Sequence, residues 1–181
     1  GMFAFAELFT LMGSKNVVSE GSRHDRSMKE IIRGTLEPLK HPINLLRSSI
    51  IGTGVGAIPA AGSTIAAFVA YNQAKLVSDH PEEYGKGSAE GIVACESANN
   101  ASTGGALMTM FALGIPGGAV TAIMLGALTM QGLQPGPRMF STQTTLVYTI
   151  ILSLFVSQIV MYFLGLGFSY SMSNVLNIST K

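Results

Sequence analysis

A chain of 181 residues that is 48% hydrophobic and only 12% charged has half the charge of an average soluble domain, which carries about 25%. A formal net charge of +1, with no basic tract interleaved with aromatics, excludes a nucleic-acid binder. The single cysteine, Cys95, excludes an intrachain disulfide and a cysteine metal site.

The charge is also unevenly placed. No Asp, Glu, Lys or Arg falls between Ser97 and Pro137 or between Met139 and Thr180, and the mean hydropathy is +0.41. A soluble domain would need charge on the outer faces of those segments. The expected fold is therefore an all-α integral membrane protein, a multi-pass helical bundle. His24, His41 and His80 stand far apart in polar stretches without metal-ligand spacing and read as solvated loop residues. No signal peptide is evident. Gly1 ahead of Met2 reads as a tag scar or a cut from a longer chain, so a fragment is expected.

Residues 1–13 are apolar apart from Glu7 and Thr10 and read as the end of a transmembrane helix. Residues 14–41 are polar, with an excess of Lys and Arg, and read as a solvent-exposed loop on the cytoplasmic side. A plain solvated linker is the alternative. Residues 42–137 form the expected core. Pro42 suits the first turn of a helix, and Asn44 to Ile58 is apolar apart from Arg47. A break follows over Pro59 to Gly62, then a second short helix from Ser63 to Val77. Asp79 to Lys86 reads as an acidic loop. Ala89 to Thr103 reads as a helix of small residues, and Gly104 to Ile115 as another short one. Pro116 divides the uncharged stretch, and a further helix runs from Gly117 to Met130. Residues 138–181 hold the end of a turn and the cleanest transmembrane candidate, Leu146 to Leu166, with Thr149, Ser153, Ser157 and Gln158 as a possible packing face.

The two breaks share a pattern. Gly56-Ala57-Ile58-Pro59-Ala60-Ala61-Gly62 and Gly114-Ile115-Pro116-Gly117-Gly118 each place Ile-Pro in an apolar run, followed by small residues and a Thr, Thr64 or Thr121. Pro removes an N–H and Gly frees the backbone, so a helix stops and restarts. In lipid such a break is tolerated only where protein or a water-filled cavity surrounds it. A pair of them points to the binding site of a secondary transporter. Pro59, Gly62, Pro116 and Gly117 are the expected hinges. The restarted helices would offer free N–H groups, which favour anions. Two ordinary Pro kinks are the alternative.

Glu96, Asn99, Asn100 and Thr103 follow i, i+3, i+4, i+7 spacing and share one helix face. A carboxylate inside an apolar segment is a functional candidate by default. These oxygens suit a hard cation such as sodium, and the amide N–H groups could hold a substrate carboxylate. The alternative is a helix C-terminus capped by Asn and ended by Gly104-Gly105. Gly52-Thr53-Gly54-Val55-Gly56-Ala57 matches the loose dinucleotide fingerprint, but Pro59 interrupts the helix it needs and no βαβ pattern surrounds it.

Five strings occur in order: Gly56-Ala57-Ile58-Pro59, Tyr84-Gly85-Lys86-Gly87, Glu96-Ser97-Ala98-Asn99-Asn100-Ala101, Leu113-Gly114-Ile115-Pro116-Gly117 and Gly132-Leu133-Gln134-Pro135-Gly136-Pro137. Together they resemble the large membrane subunit of tripartite tricarboxylate transporters, the TctA family, over nearly the whole chain. The resemblance covers the middle and part of the C-terminal half of that longer subunit. It implies no enzyme but a multi-pass permease of the bacterial inner membrane, for sodium-driven uptake of small carboxylates such as citrate or dicarboxylates. It also implies a periplasmic solute-binding protein and a small membrane subunit as partners, and sodium as coupling ion. In that setting Ser63, Thr64, Asn99, Asn100, Gly117, Gly118 and Thr121 are the substrate-binding candidates. Glu96, Asn99 and Asn100 are the sodium candidates. The family usually carries Pro-Gly-x-Gly at the first break, where this chain has Pro59-Ala60-Ala61-Gly62. A membrane scaffold without a transport site is the alternative, and an intramembrane enzyme lacks a nucleophile–base pair.

Overall fold

A computed structural model describes residues 28–175. The expected helix end at residues 1–13, His24, and the part of the expected loop before residue 28 lie outside the described residues. Among the described residues the fold is all helical: α1 (Met28–Leu36), α2 (Pro42–Gly56), α3 (Gly62–Val77), α4 (Ala89–Leu113), α5 (Ala119–Met130), α6 (Met139–Thr142) and α7 (Thr144–Val175). Short 3-10 turns occupy Glu37–Lys40 and Pro81–Glu83. Residues 28–40, expected as loop, are thus mostly helical, and the acidic loop contains a 3-10 turn.

Small residues set the core. Ala66, Ala70, Ala74, Ala94 and Ala98 are fully buried and bring α3 against α4. On α2, a Cβ at Gly52 would strike the backbone of Ala98, and one at Gly56 the backbone of Ser102. A Cβ at Gly105 of α4 would strike the Thr53 carbonyl. The Gly52–Gly56 string that mimics a nucleotide fingerprint is therefore a helix-crossing surface of the small-xxx-small kind.

The same crossing explains a correction. Ala89 to Thr103 and Gly104 to Ile115, expected as two helices, form the single 25-residue α4. Gly104 and Gly105 cost the helix about 1 kcal/mol each relative to Ala, but Gly105 is buried where only a glycine fits against α2. Asn100 therefore lies inside the helix and does not cap it. α4 begins at the Ser88 cap, whose Oγ accepts the Gly91 N–H at 3.2 Å. It ends at Gly114, φ +71°, whose N–H donates to the Met110 carbonyl at 2.9 Å.

Met110, Phe111, Leu128, Met139 and Val147 form a second core, joining the end of α4 to α5, α6 and the start of α7. Beyond Ile150, α7 exposes Leu152, Phe155, Phe163 and Leu164. The most apolar 18-residue stretch within Thr144–Ser171 has a mean hydropathy of 2.1, and among the described residues this is the one helix long and apolar enough to cross a membrane. The span is longer than the expected Leu146 to Leu166. Thr149, Ser153 and Ser157 are exposed, and each donates to a carbonyl of its own helix.

A polar clasp closes the end of the α2–α3–α4 group away from the breaks. Asn44 Nδ2 donates to the Glu90 carbonyl at 2.9 Å, Arg47 Nη2 donates to Asn44 Oδ1 at 3.3 Å, and Ser78 Oγ donates to Glu90 Oε2 at 2.6 Å. Tyr84 packs edge-on against Tyr71 with ring centroids 5.2 Å apart. Its buried hydroxyl lies beside Ser78 and Glu90, which bond to each other, and meets no partner in good hydrogen-bond geometry. Burial first, then the nearby Glu90 carboxylate, push the Tyr84 pKa up to about 12. A raised phenol pKa supplies stability that is full below pH ~10 and is lost as pH rises toward 12. Tyr84→Phe should therefore remove this alkaline loss and, by deleting an unpartnered buried hydroxyl, hold or raise stability by up to about 1 kcal/mol. Thermal unfolding of the full-length protein in detergent between pH 7 and 11 would check both.

Candidate functional site

The two breaks meet. The Ala60 N–H donates to the Gly117 carbonyl at 3.1 Å, joining the first break to the second. Gly117 is buried, and a Cβ there would lie 2.7 Å from Ala106 Cβ and 2.8 Å from the Gly56 carbonyl oxygen. Thr109 Oγ1, also buried, sits 3.0 Å from the Ala57 carbonyl and 3.1 Å from that of Gly105. Both breaks thus rest on the C-terminal half of α4.

Ala60 occupies the left-handed region at φ +65°, the one such non-glycine among the described residues. Gly62 follows at φ +72°. A left-handed alanine costs roughly 1–2 kcal/mol, partly offset by the chain entropy a glycine would lose. Ala60→Gly keeps the N–H that reaches Gly117, so it should raise stability by about 1 kcal/mol. A melting midpoint equal to or below wild type would refute the strain.

The restarted helices open beside this junction. Ser63 and Thr64 stand in the exposed first turn of α3, which has no side-chain cap. At α5, the buried Thr121 hydroxyl accepts the Gly118 N–H at 2.9 Å and lies 2.9 Å from the Gly118 carbonyl. Thr121 therefore shapes the helix start with its side chain, which leaves the first-turn backbone N–H groups as the donors there.

The Glu96 face divides in two. Glu96, Asn99, Asn100 and Thr103 are all exposed. Glu96 and Asn100 line a groove of about 740 Å³ between α1, the following 3-10 turn, α2 and α4, with Leu45, Ser49, Ile92 and Ser97. Asn100 Nδ2 donates to the Glu96 carbonyl of its own helix at 2.8 Å. Asn99 faces the other flank. Cys95 Sγ lies 3.9 Å from the Ala67 carbonyl of the antiparallel α3, and one turn further this register sets Asn99 level with Ser63. The break junction at Ala106 is about 9 Å along α4 from Asn100 and about 15 Å from Glu96, at 1.5 Å per residue. The candidates thus divide: Ser63, Thr64, Gly117 and Gly118 lie by the break junction, Asn99 stands on the α3 flank about 10 Å from Ala106 along α4, and Glu96 and Asn100 line the groove.

Sequence reasoning missed three features. Thr109 lies in an apolar run and gives no signal by spacing. The α1 wall of the groove was hidden in a mixed-charge stretch. His80, Glu82 and Glu83 bring ligand atoms within 4.8 Å of one another, all exposed, where sequence spacing had set the histidines apart.

The chain matches the TctA family of tripartite tricarboxylate transporters over residues 1–181 and belongs to that family. It is 32% identical over 169 residues to an uncharacterized 52.8 kDa protein in the TAR-I ttuC' 3' region of Agrobacterium vitis, covering 92% of this chain and 32% of that protein. It is 36% identical over 115 residues to an uncharacterized protein in the TAR-II ttuC' 3' region of the same organism, covering 64% of this chain and 48% of that one. The chain thus spans from a third to a half of the length of these relatives. No solved structure matches it at a significant level.

Proposed function

We propose that this TctA-family chain forms the carboxylate-binding part of a multi-pass permease in the bacterial inner membrane. It would act with a periplasmic solute-binding protein and a small membrane subunit, and take up citrate-like tricarboxylates or dicarboxylates with sodium. The observation that carries the reading is the hydrogen bond from Ala60 N–H to the Gly117 carbonyl. It brings two interrupted helices together, so two helix N-termini open near one place in an apolar bundle.

The chemistry follows from that meeting. Each N-terminus presents unpaired N–H groups and about half a positive charge, and favours an anion by about 0.3–2 kcal/mol. A di- or tricarboxylate has at least two anionic ends to satisfy. Ser63 and Thr64 add hydroxyls at one helix start, and Gly118, with open space over its Cα, lets a ligand approach the backbone at the other, while Gly117 seats that start against Ala106 and the Gly56 carbonyl. Thr121 holds the second start in shape. Asn99 extends the donor set along α4. Glu96 and Asn100 offer a carboxylate and an amide oxygen to sodium in the groove, where one positive ion would neutralise the otherwise costly intramembrane carboxylate.

Uptake of labelled citrate and of labelled succinate into proteoliposomes tests this. The full-length protein would be reconstituted with its small subunit and solute-binding protein, with and without an inward sodium gradient. Gradient-dependent accumulation of either probe is expected. A scaffold role is the second reading. The bond from Asn100 to its own helix and the exposure of Glu96 and Asn99 favour it, as polar residues waiting to glue neighbouring helices. It predicts no accumulation of any carboxylate, and assembly defects on mutation of Glu96.

A further inference from the structure

We propose that Thr109 is a positioning residue that latches the first break against α4, with a fallback acceptor that keeps its hydroxyl paired when the latch opens. This rests on the transport reading for its purpose, but its geometry stands apart from any substrate.

A threonine hydroxyl carries one proton and can donate to one acceptor at a time. Thr109 Oγ1 has two carbonyls at nearly equal range, Ala57 at 3.0 Å and Gly105 at 3.1 Å. The bond to Gly105, four residues back on its own helix, is the ordinary one for a helical threonine. The bond to Ala57 reaches across to the C-terminal cap of α2. That carbonyl is one of the acceptors a helix end leaves without an intrahelical donor. It lies two residues before Pro59, which has no N–H, and three before Ala60, whose N–H is committed to Gly117. Thr109 is therefore the side chain that ties the first break to the long helix, while Ala60 ties it to the second break.

The degeneracy matters for movement. If the first break moves away, the Thr109 hydroxyl rotates onto Gly105 and is not left unpaired while buried, so the penalty of a lost buried donor is avoided. Only the Ala57 carbonyl must find a new partner. A valine would fill the same space without the donor. A serine would keep the donor without the methyl.

Amide hydrogen exchange and transport kinetics of the full-length protein test the latch together. In Thr109→Val, exchange at residues 57–62 should accelerate at least tenfold, while exchange across 89–104 of α4 stays as in wild type. Thr109→Ser should restore slow exchange. Where citrate or succinate uptake is measurable, Thr109→Val should lower Vmax at least fivefold with KM within a factor of two, and Thr109→Ser should restore it. Wild-type exchange at 57–62 in Thr109→Val would overturn the latch. So would acceleration that Ser fails to reverse, or acceleration with unchanged Vmax. If the wild-type protein takes up neither probe, the transport reading fails, and exchange at 57–62 alone decides the latch.

Discussion

Gly56→Ala in the full-length protein is expected to lower the melting midpoint sharply and to remove most of the correctly assembled protein, whereas Gly54→Ala two residues away should do neither. Both changes add one methyl group to α2. Both improve intrinsic helix propensity by up to about 1 kcal/mol. At Gly54 the new Cβ enters open space, so the propensity gain stands alone. At Gly56 it overlaps the Cα, carbonyl carbon and oxygen of Ser102. Backbone cannot rotate away as a side chain can, so α2 and α4 must separate. Overpacking of this kind typically costs about 1–3 kcal/mol, and separation would also strip the Thr109–Ala57 contact and loosen the seat of Gly117, which rests against the Gly56 carbonyl. Gly105→Ala meets the Thr53 carbonyl and should repeat the loss, while Gly104→Ala, with nothing within 4 Å, should not. Thermal stability and size-exclusion profiles of the four variants would decide the matter. Equal behaviour of Gly56→Ala and Gly54→Ala would show that the crossing is looser than the structure has it.

This contrast also marks what was legible in the sequence. Pro59 and Pro116 fixed the breaks, since a missing N–H and a ring clash act locally whatever the tertiary setting. Pro42 likewise opened α2 as expected. Gly104-Gly105 misled because a glycine pair reads locally as a stop. Its meaning here is tertiary, a space shared with Thr53 and Ala57, and that space is visible only once α2 lies across α4. The same holds for Gly52 and Gly56, whose spacing fits a nucleotide loop and a helix crossing equally well. Residues 28–40 hide their helical form because charge on a short helix looks like charge on a loop. The i, i+4 spacing of Glu96 and Asn100 put them on one face, and both line the groove. Asn99 shares that arc of the helix wheel but stands about 100° round the helix from Asn100, on the α3 flank, a distinction that needs the position of both neighbouring helices.

Asn100→Ala is expected to abolish or severely reduce uptake while leaving insertion and stability close to wild type. Asn100 is exposed in the groove, and its side chain bonds only to the Glu96 carbonyl of its own helix. No interhelical hydrogen bond is therefore lost, and Ala is the better helix former. In a working site, the lost amide would remove a polar contact to a desolvated ligand, worth about 1–3 kcal/mol or a factor of roughly 5–150 in affinity. The form of the defect assigns the role. A weakened sodium dependence at saturating carboxylate would make Asn100 a sodium ligand beside Glu96. A raised carboxylate KM at saturating sodium would make it a substrate contact instead. Glu96→Gln separates charge from shape: if sodium neutralises Glu96, the amide should weaken sodium dependence while keeping the groove intact. Asn99→Ala supplies the comparison from the other flank, where the α3 register predicts a carboxylate defect with sodium dependence unchanged. Wild-type uptake in Asn100→Ala, with both requirements unaltered, would remove the groove from the transport path and leave the break junction as the sole site.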